Sequence, residues 1–287
     1  MGVVGGSGRY AIEGLEDLRE ETIDTPRGAP SGPIAFGRIG GVEARVIARH
    51  GPAHAIPPSH VNYRANVDAM KRAGATDIIS ISACGSLRED LAPGDFVIVD
   101  QFIDRTSGRE ASFFGPGCVA HVSMARPICP TLADAAFNAC EAAGARVKRG
   151  GAYICINGPQ FSSKAESALY RQWGAAVIGM TNATEAKLAR EAELPYATIA
   201  MVTDYDCWRD ADAEVDVAAV LEVMRANTEV AKRAIPRIAT ELSAIRTLSP
   251  LGVETCLDVA IITPPHARDP EMLAKLDAVA ARVLHAQ

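Results

Sequence analysis

Apolar positions fall into short runs separated by stretches of helical period, so strands and helices are predicted to alternate along most of the chain. Val3-Val4 leads directly into Gly5-Gly6-Ser7-Gly8. Residues 34–39 and 42–48 alternate around Gly40-Gly41, which predicts a β-hairpin. A helix is predicted over residues 59–73, with Ser59 as its N-cap and Gly74 just past its end. Strands follow at 78–83, running into Cys84-Gly85-Ser86, and at 96–99. Residues 131–143 read as a helix stopped by Gly144, and 152–156 as a strand ending at Asn157-Gly158-Pro159. Ser163-x-x-Glu166 matches a capping box opening a helix to about Trp173. A short strand at 177–180, a helix at 184–193 and a strand at 196–202 ending in Thr203-Asp204 come next. Val217, Val220, Leu221 and Met224 are spaced as one face of a helix reaching about Ile245. Breaks at Ser249-Pro250 and Pro264-Pro265 precede a terminal helix over 271–285. The pattern predicts an α/β fold: a single domain with a mixed central β-sheet flanked by helices. Residues 1–245 form that domain, and 246–287 a C-terminal extension packed on it or on a neighbouring subunit.

Composition narrows the class of protein. With 287 residues the chain can bury roughly 75% of its unfolded surface without disulfide or metal staples. Lys and Arg number 29 against 35 Asp and Glu, a net charge of −6 that argues against a nucleic-acid binder. No apolar run approaches the ~20 residues of a membrane span. The seven cysteines are odd in number and form no C-x-x-C, which suits reduced thiols in a reducing compartment. No secretory leader is read at the N-terminus, and Gly6 breaks the myristoylation pattern. A cytoplasmic enzyme is the expectation.

Ligands of open α/β sheets bind at the carboxyl ends of strands, so chemistry is sought there. Gly5-Gly6-Ser7-Gly8 suits an anion-binding loop or a plain tight turn. Ala11 stands where G-x-G-x-x-G wants its last glycine, and no Gly-Lys-Ser/Thr follows, which weakens dinucleotide and NTPase readings. Arg49-His50 offers a planar cationic fork to a phosphate, or is a surface cation on the hairpin. Asp204-Tyr205-Asp206 supplies carboxylates for proton transfer to a leaving group, or an Asx turn. His54 and His60 lack metal-ligand spacing, and no G-x-S-x-G nucleophile elbow occurs. Residue chemistry alone therefore reaches an α/β enzyme with an anion site and a carboxylate for proton work.

Taken together, ordered segments carry a more specific signal. They include Thr25-Pro26-Arg27-Gly28, Arg49-His50-Gly51, Pro58-Ser59-His60-Val61-Asn62-Tyr63-Arg64 and Ala83-Cys84-Gly85-Ser86. Asp104-Arg105-Thr106, Gly158-Pro159-Gln160-Phe161-Ser162 and Thr203-Asp204-Tyr205-Asp206 continue the set. From Gly5 to about Ile245 the chain resembles the trimeric purine nucleoside phosphorylase family. The resemblance implies a pentosyltransferase that cleaves a purine nucleoside with inorganic phosphate as cosubstrate, using no cofactor and no metal. It implies phosphate at Ser7, Arg49, His50, the Ala83 backbone and Thr181. It implies the nucleoside at Phe161, Ser162, Met180, Asp204 and Asp206, with the two aspartates catalytic. A 5′-methylthio group would lie against Val217, Val220 and Leu221, joined by His121 of a neighbouring subunit, in a homotrimer.

Two positions bear on the base. The 6-oxopurine members have Asn where this chain has Asp204 and Glu where it has Ser162. A protonated Asp204 donates to purine N7 and accepts from a 6-amino group, which quenches charge on the departing base. The expected substrate is 5′-methylthioadenosine, with methylthioinosine, adenosine or inosine as alternatives. A phosphate-binding protein without activity and a nicotinamide enzyme are the competing classes. Met180-Thr181-Asn182-Ala183-Thr184-Glu185 departs from the family by lacking the Val-Pro usual before that Glu.

Overall fold

The computed structural model describes residues 1–6, 15–209, 217–245 and 247–284. Along the chain run β1 (Gly2–Gly5), β2 (Leu15–Glu21), β3 (Ile34–Ile39), β4 (Val42–Ala48), a 3-10 turn (Pro58–His60) and α1 (Tyr63–Arg72). Then come β5 (Ile78–Ser86), β6 (Phe96–Ile98), β7 (Gln101–Asp104), α2 (Pro130–Ala142), β8 (Val147–Arg149) and β9 (Ala152–Cys155). The remainder is α3 (Lys164–Gln172), β10 (Ala175–Gly179), α4 (Asn182–Glu191), β11 (Tyr196–Asp204), α5 (Val217–Ile245), α6 (Pro270–Ala274) and α7 (Ala281–Leu284).

The described strands form one mixed sheet in the order β2-β3-β4-β1-β5-β10-β9-β7, with β11 against β5 and β6, and β8 against β6. The apolar strand β5 explains the layout, because it is flanked on both sides. Its first half pairs in parallel with β1 (Gly2 with Ile78 to Val4 with Ser80), and from Ile78 to Gly85 it pairs in parallel with β11. At its carboxyl end β1 has left and β10 takes its place, antiparallel, with Val177 opposite Ser86. This change of neighbour opens a crevice at the carboxyl ends of β1, β4, β5, β10 and β11, the kind of place where α/β sheets bind ligands. Helices α1, α2, α4 and α5 supply the apolar faces that close the core, which includes Met70, Ala136, Leu188 and Ile238.

Most expected elements are present, including the hairpin β3–β4, with Ile39 opposite Val42, and the capping box of Ser163 and Glu166. Two expectations are corrected. The helix after the first hairpin is capped by Asn62, whose side chain accepts from the Ala65 N–H, and not by Ser59. Consecutive prolines at 57 and 58 instead hold Ser59 in the 3-10 turn, where its hydroxyl donates 2.9 Å to the Asn157 carbonyl. The terminal helix is two short ones, α6 and α7, because Leu276, Val279 and Ala280 are drawn into the core between them. Strand β2 was not expected, since its polar run Leu15–Glu21 has no buried alternation and exists as an edge paired to β3. The segment after residue 246 also packs on the main core through Leu257, and Arg282 pairs with Glu193.

Candidate active site

Strand ends and the loops after them enclose a cavity of about 250 Å³ at this crevice. Strand β4 brings Arg49 and His50, β5 brings Ser82 to Gly85, β10 brings Gly179 to Thr181, and β11 brings Thr203 and Asp204. The loop after β9 adds Ile156, Phe161 and Ser162. Helix α5 closes one side with Val220, Met224 and Thr228, spaced four apart and so stacked along one face.

One wall is cationic and deeply buried. Arg49 is 1% exposed. Its Nε donates to Glu185 Oε1, and its Nη2 donates 3.0 Å to Glu185 Oε2 and 2.6 Å to Ser80 Oγ. Nη1 gives one bond of 3.3 Å to the Ile81 carbonyl. Burial opposes the charge on Arg49, but Glu185 beside it outweighs burial and holds the guanidinium above its ordinary pKa. The Nε–Nη2 edge of the guanidinium is thus spent on Glu185. One Nη1–H has no partner among the described residues, since five donors serve four described bonds, and Arg49 lines the cavity. The carboxylate is itself held, accepting from Ser80 Oγ at 2.8 Å and from the Tyr196 hydroxyl at 3.0 Å. Asn182 ties Ser80, Tyr196 and Thr198 into the same network and accepts from Thr181 Oγ1 at 3.2 Å.

His50 is 7% exposed and its Nδ1 lies 2.8 Å from the Ile56 carbonyl. Burial and then Arg49 push its pKa down to about 4. A carbonyl can only accept, so Nδ1 carries the proton and Nε2 is the acceptor of a neutral ring. His54 stacks against it with ring centroids 4.4 Å apart.

The opposite wall is carboxylic. Burial raises the pKa of Asp204 and of Asp206 above the ordinary range. Asp204 also accepts from Thr203 Oγ1 at 2.7 Å and from the Asp206 N–H at 2.8 Å, bonds that fix its plane. Ser162 lies on this side with a buried hydroxyl that has no partner among the described residues. Gly85 keeps Asp204 in place, because a Cβ there would come within 2.9 Å of Asp204 Oδ1.

Of the residues expected from sequence, Arg49, His50, Ala83, Phe161, Ser162, Met180, Thr181, Asp204, Asp206 and Val220 converge on this one cavity. Ser7 lies outside the described residues, beside Gly6, which does line the cavity. Val217 begins α5, but its side chain is not described. Leu221 is 41% exposed and off the cavity wall; the next helical turn presents Met224 and Thr228 instead. His121 is exposed and away from the cavity of its own chain, its N–H bonded to the Ala260 carbonyl. Sequence reasoning missed Glu185, whose partner Arg49 is 136 residues away. It also missed Arg109, which ties the loops of the site together. Arg109 donates 2.6 Å to the Met180 carbonyl and 2.9 Å to the Asn157 carbonyl. Among the described residues no group of three His, Cys, Asp or Glu side chains stands together as a metal site.

Residues 1–240 match the phosphorylase superfamily, and the chain belongs to it. It is 54% identical over 284 residues to the S-methyl-5′-thioadenosine phosphorylase of Cereibacter sphaeroides, covering 99% of this chain and 98% of that protein. Among solved structures it resembles a methylthioadenosine phosphorylase from an antarctic soil metagenomic library. That likeness has a TM-score of 0.90 and 42% identity, over 96% of this chain and 98% of the other. A mutant adenosine/methylthioadenosine phosphorylase from Schistosoma mansoni, in complex with methylthioadenosine, is similar at a TM-score of 0.79 and 37% identity. There the match covers 85% of this chain and 92% of that one.

Proposed function

We propose that the protein cleaves 5′-methylthioadenosine with inorganic phosphate, releasing adenine and 5-methylthioribose 1-phosphate. The observation that carries this reading is the division of one cavity into three walls. They are an anion-binding wall at the Arg49 guanidinium and the neutral His50 ring, a carboxylic wall at Asp204 and Asp206, and an apolar helix face at Val220 and Met224. The names of the relatives point the same way.

Each wall has its part in the reaction. Arg49, His50, Thr181, Ser7 and the Ala83 backbone hold phosphate beneath C1′ of the nucleoside. The N-glycosidic bond breaks through an oxocarbenium-like state, stabilised by the adjacent phosphate charge. Asp204, whose acid form burial favours, donates to N7 and accepts from the 6-amino group, so negative charge on adenine is quenched as it leaves. Phosphate then forms the C1′–O bond with inversion. Phe161 and Ser162 flank the base, Asp206 supports Asp204, and Met180 lies under the ribose. A thioether suits Val220 and Met224, where a 5′-hydroxyl would lose its partners at about 1–3 kcal/mol. Phosphate is the sole cosubstrate in this scheme. The enzyme would work as a cytoplasmic homotrimer, with His121 of a neighbouring subunit approaching the 5′ end; no described helix is long and apolar enough to cross a membrane.

Phosphorus NMR of a reaction with 5′-methylthioadenosine tests the proposal. A sugar 1-phosphate should appear in step with free adenine. Adenine release without phosphate, giving the free sugar, would make the protein a hydrolase instead.

A further inference from the structure

The polarity of His50 has a consequence for which anions the site accepts, and it rests on the reading of this wall as the phosphate site. Nδ1 is committed as a donor to the Ile56 carbonyl at 2.8 Å. Ile56 is not on the cavity wall and His50 is, so Nε2 is the ring nitrogen left for a ligand of the cavity. The neutral ring offers a lone pair there. We propose that His50 accepts a hydrogen bond from the P–O–H of bound phosphate, so that the site selects the protonated dianion HPO4²⁻ over tetrahedral dianions with no proton, such as sulfate. The proton stays on phosphate and turns that oxygen towards His50. The three oxygens without a proton are left for Nη1 of Arg49 and the remaining donors.

The charged and titratable groups around the ring keep it neutral. Arg49, next in the chain at the end of β4, opposes a second cation, and so does His54, stacked on the ring. Glu185 of α4 favours protonation, but its carboxylate is already bound by Arg49, Ser80 and Tyr196. Burial acts in the same direction as Arg49, and it is the largest influence.

Calorimetric titration of the full chain with inorganic phosphate and with sulfate, at pH 8 in two buffers of different ionisation enthalpy, separates the possibilities. Free phosphate is then mostly HPO4²⁻. Phosphate should bind with close to no proton drawn from the buffer. Sulfate should bind about 10–100-fold more weakly, the range expected for one unmet polar contact. His50→Gln, whose side-chain amide can donate, should narrow the gap between the two anions. Uptake of close to one proton per phosphate, which would make His50 a cationic donor, overturns the proposal. So do equal affinities for the two anions in a protein that performs phosphorolysis. Absence of both phosphate binding and phosphate-dependent cleavage would instead overturn the phosphate reading of the wall, and this proposal with it.

Discussion

At the scale of single residues, two ionisable groups are held away from their solution states in opposite senses, and each leads to a measurement. Burial raises Asp204, so its acid form persists to higher pH than that of a free aspartate and is lost as pH climbs through the raised value. Asp204→Ala should lower kcat by about 10²–10⁴-fold, the usual worth of a positioned acid, with phosphate affinity little changed. Steady-state kinetics and phosphate titration check this, and near wild-type turnover would remove the acid from the scheme. His50 is lowered from 6.5 to about 4, so the native state prefers it neutral. For a depressed histidine the stabilisation is complete above the unfolded value and is lost as pH falls through the folded one. Acidification from pH 7 to 4 should therefore remove about 3 kcal/mol attributable to His50. Urea unfolding of wild type and His50→Gln at both pH values should show a smaller loss in the variant. Arg49, His50 and Asp204 stood out as candidates because they sit in short polar segments directly after apolar runs, but their expected roles came from the family resemblance alone. Glu185 was not, because nothing local marks a glutamate inside a helix as the partner of an arginine far back in the chain.

At the scale of elements, the ends of β9 and β10 illustrate how closely the site is supported. Gly179 closes β10, and a Cβ there would overlap the hydroxyl of Tyr153 on β9. Gly179→Ala should cost about 1–3 kcal/mol through overpacking, and shift Met180 and Thr181 enough to raise the KM for both substrates. Adding Tyr153→Phe should restore part of the stability, since it removes the overlapping oxygen; thermal unfolding of the two variants measures this. The periodicities of β5, β11 and α5 were readable because each buries a continuous apolar face. The edge strand β2 was not, because its pairing to β3 is a matter of backbone hydrogen bonds, to which a charged sequence gives no pattern. Leu221 shows the limit of helical spacing: it marks a face, but only the packing of α5 decides that Val220, Met224 and Thr228 are the residues turned to the cavity.

At the scale of the whole molecule, a chain of net charge −6 sets one buried arginine, balanced by Glu185, in the wall proposed to hold phosphate. The segment after residue 246 belongs to the same body in energetic terms. Leu257, Leu276, Val279 and Ala280 are at most 1% exposed, and Arg282 pairs with the buried Glu193. Truncation after residue 246 should leave a protein that unfolds at markedly lower temperature or fails to accumulate as a folded species; calorimetry or circular dichroism of the truncated chain checks it. A truncated chain with unchanged thermal stability would show that this segment only decorates the fold.

Purine release from 5′-methylthioadenosine, methylthioinosine, adenosine and inosine, each with and without inorganic phosphate, bears on all three scales at once. Phosphate-dependent release should be fastest by kcat/KM for 5′-methylthioadenosine, with adenosine behind it and both 6-oxopurine nucleosides slower by orders of magnitude. Preferred cleavage of inosine or methylthioinosine, or release that ignores phosphate, would contradict the assignment of Asp204 and of the cationic wall.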